Sequence, residues 1–446
     1  MTELPEGLRA LRADVHRELR SLDPRAADRF ARLLTDTWRQ AMRPTPDGEV
    51  FVVTGDIPAM WLRDSTAQVR PYLLAAADPA VAAALTGVLR RQLRYVIADP
   101  YANAFNAAPD GSGAGHLDEP APGPLVWERK YEVDSLCAPL QLAYGLWRAT
   151  GRLDHITADD RFATAARTII ALWRVEQDHE ACSSYEFRRM GGEFSYDTLP
   201  RGGRGALSAP TGMTWSGFRP SDDRCHYGYL VPANALAAVS LAGLAELAAA
   251  AGLDGLAADA AALSAEIGAG VLAHGVAEYD GDRVYAYEVD GLGGHLLMDD
   301  ANIPSLLSLP YLGWCGPGDP LYLRTRELVL SDANPFHYTG RHASGIGSPH
   351  TPPGHVWPLS LTMQALTSGD PAEQVRLAEL LLRTDAGTGA IHESFHVDDP
   401  GTFTRPWFGW GDSLFGELLL LLAGRSTAAL HPRAAGSGVT PGRPRS

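Results

Sequence analysis

Lysine is all but missing from this chain: Lys130 is the only one among 38 basic residues, and the other 37 are arginine. A phosphate-cradling P-loop needs a lysine behind a Gly-rich turn, and no G-x-x-x-x-G-K-[ST] is present, so a Schiff-base or P-loop lysine could stand only at Lys130. Cysteine is nearly as scarce. Cys137, Cys182, Cys225 and Cys315 lie far apart with no C-x-x-C, which spells neither a zinc knuckle nor a redox pair and leaves reduced, packed thiols as the expectation. Other motifs are missing too: there is no G-x-S-x-G and no H-E-x-x-H, and Asp299-Asp300-Ala301-Asn302 lacks the Gly and distal Glu of a calcium loop, reading better as a helix start with Asp300 near the cap. Positive charge is in deficit, since 53 acidic residues leave a formal net charge of −15. That sign argues against nucleic acid or an anionic membrane as partner, because phosphates demand basic stripes. Long apolar runs are short of what a bilayer needs: 233–253 is Ala-dominated and broken by Ser240 and Glu246, and 418–423 cannot span ~30 Å of hydrocarbon, so no membrane helix is expected. Residues 1–19 carry charge throughout, without the ~7–15-residue apolar centre of a signal peptide, which makes the cytoplasm the expected compartment.

What is present is a large apolar fraction with helical spacing. Hydrophobic residues make up 45% of the 446, enough for a sizeable core. Leu8, Leu11, Val15, Leu19 and Leu22, then Phe30, Leu33, Leu34, Trp38 and Met42, recur mostly in steps of three or four. The same periodicity predicts helices near 65–77, 79–97, 131–150, 160–178, 227–251, 254–273, 301–309, 320–331, 356–367, 372–383 and 410–424, many paired across turns such as Asp78-Pro79 and Gly369-Asp370-Pro371. About six such pairs suggest an all-α toroid of helical hairpins. Strand signals are local, at Val50–Thr54, Glu278–Glu288 and Glu186–Tyr196, and read as short β-hairpins in the loops. Residues 1–424 are expected to form one domain, and 425–446, rich in Gly, Pro, Ser and Arg, a disordered tail.

The interruptions carry more information than the helices. Six blocks, 54–65, 123–134, 211–229, 291–314, 340–358 and 391–412, gather Gly and Pro with arginines, carboxylates and seven of the ten tryptophans, among them Trp61, Trp215 and Trp407. Aromatic rings beside carboxylates on irregular backbone suit a sugar cleft, where a ring stacks on the pyranose face and charges take the hydroxyls. Glycoside hydrolysis needs two carboxyls, one to protonate the leaving oxygen and one to act as base or nucleophile. Candidates are Asp56, Asp64, Glu128, Glu132, Asp134, Asp222, Asp223, Asp299, Asp300 and Glu393. Adjacent Asp222 and Asp223 offer a like-charge route to a raised pKa, but Pro220-Ser221 before them equally reads as a helix cap, and composition does not choose the pair.

The blocks TGDIPAMWLRDS (54–65), VWERKYEVDSLC (126–137), GMTWSGFRPSDD (212–223), LMDDANIPSLLSLPYLGW (297–314), GIGSPHTPPG (345–354), IHESF (391–395) and TRPWFGWGDSLFGE (404–417) together resemble glycoside hydrolase family 125 from about residue 30 to 424. The resemblance implies an (α/α)6 barrel and an exo-acting, inverting, metal-independent α-1,6-mannosidase without cofactor, acting on a mannose-containing oligosaccharide. It implies a general acid in the Ser-Asp-Asp step, Asp222 before Asp223, and Glu393 as the base that activates water. Trp61, Arg63 and Asp64 would then line the pocket for the terminal mannose, with Arg341 and His342, or His350 and His355, near it, together with Trp215 and Trp407. One block departs from the family pattern, carrying Asp412 where an Ala-Asn-type step is usual, which adds a carboxylate near the cleft. Another sugar enzyme of the same barrel, an inverting glucosidase or an epimerase built on His350 and His355, is the alternative, as is a glycan-binding protein without turnover. Lys130, inside one of these blocks, is predicted to be buried and paired with an acid.

Overall fold

The computed structural model describes residues 1, 3–113, 117–191 and 195–434. Twelve helices of eight or more residues occur among the described residues: α1 (Glu6–Arg20), α2 (Pro24–Asp36), α3 (Leu62–Val69), α4 (Pro79–Ala98), α5 (Val133–Thr150), α6 (Arg161–Glu176), α7 (Val231–Ala250), α8 (Asp254–His274), α9 (Pro320–Val329), α10 (Pro358–Leu366), α11 (Pro371–Arg383) and α12 (Gly409–Leu422). Four of them start in the same way. Asp23-Pro24, Asp78-Pro79, Asp319-Pro320 and Asp370-Pro371 each put a carboxylate at the cap, accepting the N–H of Arg25, Ala80, Tyr322 or Ala372, with proline in the first turn where its missing N–H costs nothing.

Helices α10, α12, α3, α5 and α7 are successive neighbours in space, and α11, α2, α4 and α8 pack against this row. The row helices are apolar almost all round, as burial on every side demands. In α12, every residue from Gly409 to Leu420 is buried, and α7 is buried along most of its length. Helices α7 and α8 have the length and composition to cross a bilayer, yet they pack on each other as a hairpin, α7 inside the protein. The arrangement is a helix-rich fold in which a second set of helices packs against a central row.

Several sequence expectations change in detail. The 65–77 helix begins at Leu62 and passes at Arg70-Pro71 into a 3₁₀ segment running to Ala75, since a proline there removes a ladder donor. No helix spans 301–309: the segment is a series of bends, with the Asp299 carboxylate accepting the N–H groups of Leu306 and Leu307 at 2.8 and 2.9 Å, and only Leu309–Leu312 turns helically. Asp300 therefore caps no helix. The 278–288 hairpin forms between Val276–Tyr279 and Asp282–Tyr285, turning on Asp280 and Gly281, both with positive φ, as a two-residue turn requires. Val50–Val52 pairs with Met42–Pro44. Arg188–Met190 pairs not with its own neighbours but with Leu117–Glu119, and residues 192–194 of the predicted 186–196 segment lie outside the described residues. Residues up to 434 of the expected tail are packed on the fold: Thr427 donates to Glu417 at 2.9 Å, Ala434 N–H reaches Gly313 O, and Pro432 packs against Gly243. Residues 435–446 of that expectation lie outside the described residues.

Candidate active site

The row helices share one feature that gathers charge: the segments leading into α3, α5, α7, α10 and α12 converge on one end of the row. Thr54–Asp64 precede and open α3, Glu132 and Asp134 open α5, Pro220–Asp222 lie on the approach to α7, His350 and Trp357 on that to α10, and Glu393, Arg405, Phe408 and Trp410 lie around the start of α12. Helix N-termini carry partial positive charge, so this end of the row favours carboxylates. Between these segments lies a cavity of about 170 Å³, lined by Trp61, Arg63, Asp64, Asp222, His350, Glu393 and Arg405 among others. It is smaller than the ~300–1,000 Å³ usual for drug-sized ligands and suits a single sugar ring.

Asp222 sits in a tight turn, not at a helix start. Its N–H reaches Arg219 O, Arg219 N–H reaches Asp223 O, and α7 begins only at Val231. The turn holds Asp222 at φ 67, a left-handed conformation that a non-glycine residue adopts under strain, which aims its carboxyl into the cavity. Trp61 Nε1 and Asn103 Nδ2 donate to its Oδ1 at 3.4 and 2.9 Å. Asp223 points elsewhere, its Oδ1 2.9 Å from His350 Nδ1. Against the cost of burial, that carboxylate raises His350 to a pKa of about 9.

Beneath Asp222 lies a dense charge network. Arg63 Nη1 is 2.6 Å from Glu132 Oε2 and 2.9 Å from Asp134 Oδ2, its Nε is 3.4 Å from Asp64, and its guanidinium lies over Trp410. Asp64 is buried with Oδ2 lacking a hydrogen-bond partner, and burial lifts it to a pKa of about 6 against the pull of Arg63. Lys130 is 2% exposed and pairs with Asp197 at 2.7 Å and Glu128 at 3.5 Å, as predicted from its isolation in the sequence. Burial pushes Glu132 far up, Asp222 and Asp134 reinforcing it against Arg63. Asp222, where burial also acts upward, is drawn below the usual carboxylate range by Lys130, a hydrogen bond from Glu132, Arg63 and His350.

Glu393, buried on the same cavity, is 3.5 Å from Arg405 Nη1, and Arg405 is anchored by Asp56 at 2.8 and 2.6 Å. Thus Trp61, Arg63, Asp64, Asp222, His350 and Glu393 come together, whereas the predicted Asp223, Trp215, Arg341, His342, His355 and Trp407 do not line the cavity. Trp215, 1% exposed, is stacked on His179 at 3.7 Å with Gly205 and Gly228 against its ring, so it fills the core behind the site. Arg341 and His342 lie exposed in a separate depression beside Arg376 and Arg383, carried there by the 337–346 hairpin. Trp407 contributes its carbonyl, accepting from Asp56 N–H. Asp412 is likewise off the cavity: it accepts the Ile391 N–H at 2.9 Å and so anchors the segment that carries Glu393, just ahead of the Ser394–His396 strand. His355 Nδ1 contacts Pro352 O and its ring meets His396, so no histidine pair faces the cavity. Sequence reasoning left out Asn103, Asn302, Trp357, Arg405, Phe408 and Trp410; all but Asn103 belong to the Trp-rich blocks, which was their available signal. Among the described residues no group of three His, Cys, Asp or Glu is placed to hold a metal ion.

A family model described as metal-independent α-mannosidase (GH125) matches residues 23–420. Over 424 residues the chain is 39% identical to the meiotically up-regulated gene 157 protein of Schizosaccharomyces pombe, spanning 90% of this chain and 81% of that one. A metal-independent α-mannosidase of Streptococcus pneumoniae, solved in a non-productive complex with α-1,6-mannobiose, superposes with a TM-score of 0.92 at 45% identity, over 95% of this chain and all of its own. A bacterial glucoamylase complexed with acarbose shares the fold at a TM-score of 0.58 and 12% identity, over 92% of this chain and 57% of its own.

Proposed function

The chain belongs to the metal-independent α-mannosidases of glycoside hydrolase family 125, and from that premise we propose that it is an inverting, exo-acting α-1,6-mannosidase built on an (α/α)6 toroid. The observation that carries the reading is that Asp222 and Glu393, from segments 171 residues apart in sequence, line one cavity of monosaccharide size, while Asp223 is committed to His350. Asp222 is the general acid and Glu393 the general base. The non-reducing mannose is held by Trp61, Arg63 and Asp64, whose Oδ2, 3.4 Å from Arg63 Nε and without a hydrogen-bond partner, accepts from a sugar hydroxyl. His350, protonated through Asp223, supplies a charged donor at the same wall. The α-1,6 linkage is supported by the disaccharide bound in the Streptococcus pneumoniae relative.

In the reaction, Glu393 takes a proton from a water whose oxygen bonds to C1, the C1–O bond to the leaving sugar breaks, and the leaving oxygen takes a proton from Asp222. Water enters from the face opposite the leaving group, so α-linked substrate gives β-mannose. Proton NMR of α-1,6-mannobiose hydrolysis tests this directly: the β-anomer should appear first and then mutarotate, and first appearance of α-mannose would refute inversion. Glu393→Gln should lower kcat by about 10²–10⁴-fold with disaccharide binding retained, and undiminished turnover would remove Glu393 from its role.

A further inference from the structure

A general acid must carry its proton when substrate arrives, yet the groups facing Asp222 oppose that. Lys130, Arg63 and His350 all present positive charge to it, and Trp61 Nε1 and Asn103 Nδ2 donate hydrogen bonds that favour the ionised form. The countervailing group is Glu132, which is 1% exposed and within hydrogen-bonding reach of Asp222. Asn103 brings the two acids together: its single Nδ2 lies 2.9 Å from Asp222 Oδ1 and 3.2 Å from Glu132 Oε1, while its Oδ1 accepts from Lys130 N–H at 3.3 Å. The other oxygen of Glu132 is occupied by Arg63 at 2.6 Å and Ser135 Oγ at 2.8 Å. Only Oε1 is left to face Asp222. Two carboxyls this close in a buried site share one proton, and burial with neighbouring Asp134 favours its residence on Glu132.

We propose that Glu132, aligned by Asn103, is a positioning residue that stores the proton of the general acid and returns it to Asp222 as the leaving oxygen departs. The inference rests on the assignment of Asp222 as acid. Written as a balanced step, the single proton of the pair moves from Glu132 to Asp222 and from Asp222 to the leaving oxygen, leaving both carboxyls ionised, and the proton from the attacking water ends on Glu393. One water is consumed, and exchange with solvent returns the Glu393 proton to the Glu132–Asp222 pair before the next turnover. The remaining charges facing the pair, Asp64 and Asp134 from the α3 and α5 ends and Glu128 beside Lys130, are carboxylates that favour a proton remaining there.

The test compares kcat/KM on α-1,6-mannobiose with that on 2,4-dinitrophenyl α-mannoside, whose leaving group departs without protonation. For Glu132→Gln, the disaccharide rate at pH 7 should fall about 100-fold, the dinitrophenyl rate should change little, and the basic limb of the disaccharide pH profile should move to lower pH. Glu132→Asp, which keeps a carboxyl but draws it back from Asp222, should move the same limb in the same direction, and it decides the matter if Glu132→Gln does not fold. Equal losses on both substrates, or an unmoved basic limb, would overturn the proposal by reducing Glu132 to a structural support. Asp222→Asn separates the two levels. If it spares the dinitrophenyl substrate while the other variants do not, the acid assignment stands and the proton store falls; if it treats both substrates alike, the acid assignment itself fails.

Discussion

Asp412 provides the sharpest quantitative prediction, because it is an acid whose burial does no chemistry in the cavity. Burial raises it from 3.8 to about 7, against the opposing Ile391 N–H and the distant Arg29 and Arg32. At ~1.4 kcal/mol per unit this corresponds to about 4 kcal/mol. The folded-state pKa lies above the unfolded one, so the stabilising contribution is complete below about pH 4 and is lost as pH rises through about 7. About 2 kcal/mol of the loss falls between pH 5 and pH 7, and about 2.7 kcal/mol between pH 5 and pH 8.5. Asp412→Asn keeps an oxygen to accept from Ile391 and cannot ionise, so it escapes that loss. With an unfolding entropy of ~2.1 cal/mol/K per residue, the melting temperature of the variant relative to the parent should rise by about 3 °C between pH 5 and pH 8.5. Scanning calorimetry of both proteins at the two pH values measures this, and kcat should be retained because the segment carrying Glu393 keeps its anchor. A difference that does not widen with pH, or one that narrows, would refute the reasoning.

Further outcomes follow from the same network. Lys130→Arg should destabilise by about 1–3 kcal/mol through overpacking, and Lys130→Met by a similar amount, because it removes one cation from Glu128 and Asp197 while Arg189 still pairs with both at 3.0 and 3.7 Å, both read from thermal unfolding. Asp223→Asn should lower the His350 pKa from about 9 by at least roughly one unit, followed by imidazole NMR titration; an unmoved His350 would break the pairing. Trp215→Ala should cost about 3–5 kcal/mol of stability with KM for mannobiose unchanged in the folded fraction, and a raised KM would restore Trp215 to the sugar site.

Helix positions were legible because burial imposes a 3.6-residue spacing on Leu, Val and Phe and because Asp-Pro steps announce four of the starts. The 301–309 segment misled because its apolar residues are packed as bends around the Asp299 carboxylate, which supplies by side chain the acceptors that a helix would supply by backbone. Asp222, Glu393 and the Trp61–Asp64 segment were recognisable as a resemblance of blocks, not as chemistry. Whether a tryptophan faces a ligand or a core depends on what the fold sets against it: Trp61 meets Asp222, whereas Trp215 meets His179, and both sit in similar Gly-rich sequence. Glu132 and Asn103 were invisible as partners because their relation to Asp222 spans 119 residues in the case of Asn103 and exists only after folding. Lys130 was the exception, since an isolated lysine in an arginine-rich chain marks a place where a fork does not fit.

The rim of the cavity joins the two ends of the chain: Arg405 grips Asp56 across 349 residues, Gly55 bridges to Phe408, and Ser413 Oγ reaches Gln68 O. A ribosome adding ~5–20 residues per second therefore needs roughly 20–70 s between making the first half of that rim and making the second. During that interval Asp222 and Arg63 can exist without Glu393, Arg405 or the α12 helix that carries Trp410. The cavity is completed late and all at once: a nascent chain or a truncation ending before residue 404 holds Asp222 and most of the residues that line it, but has nothing to close the circle.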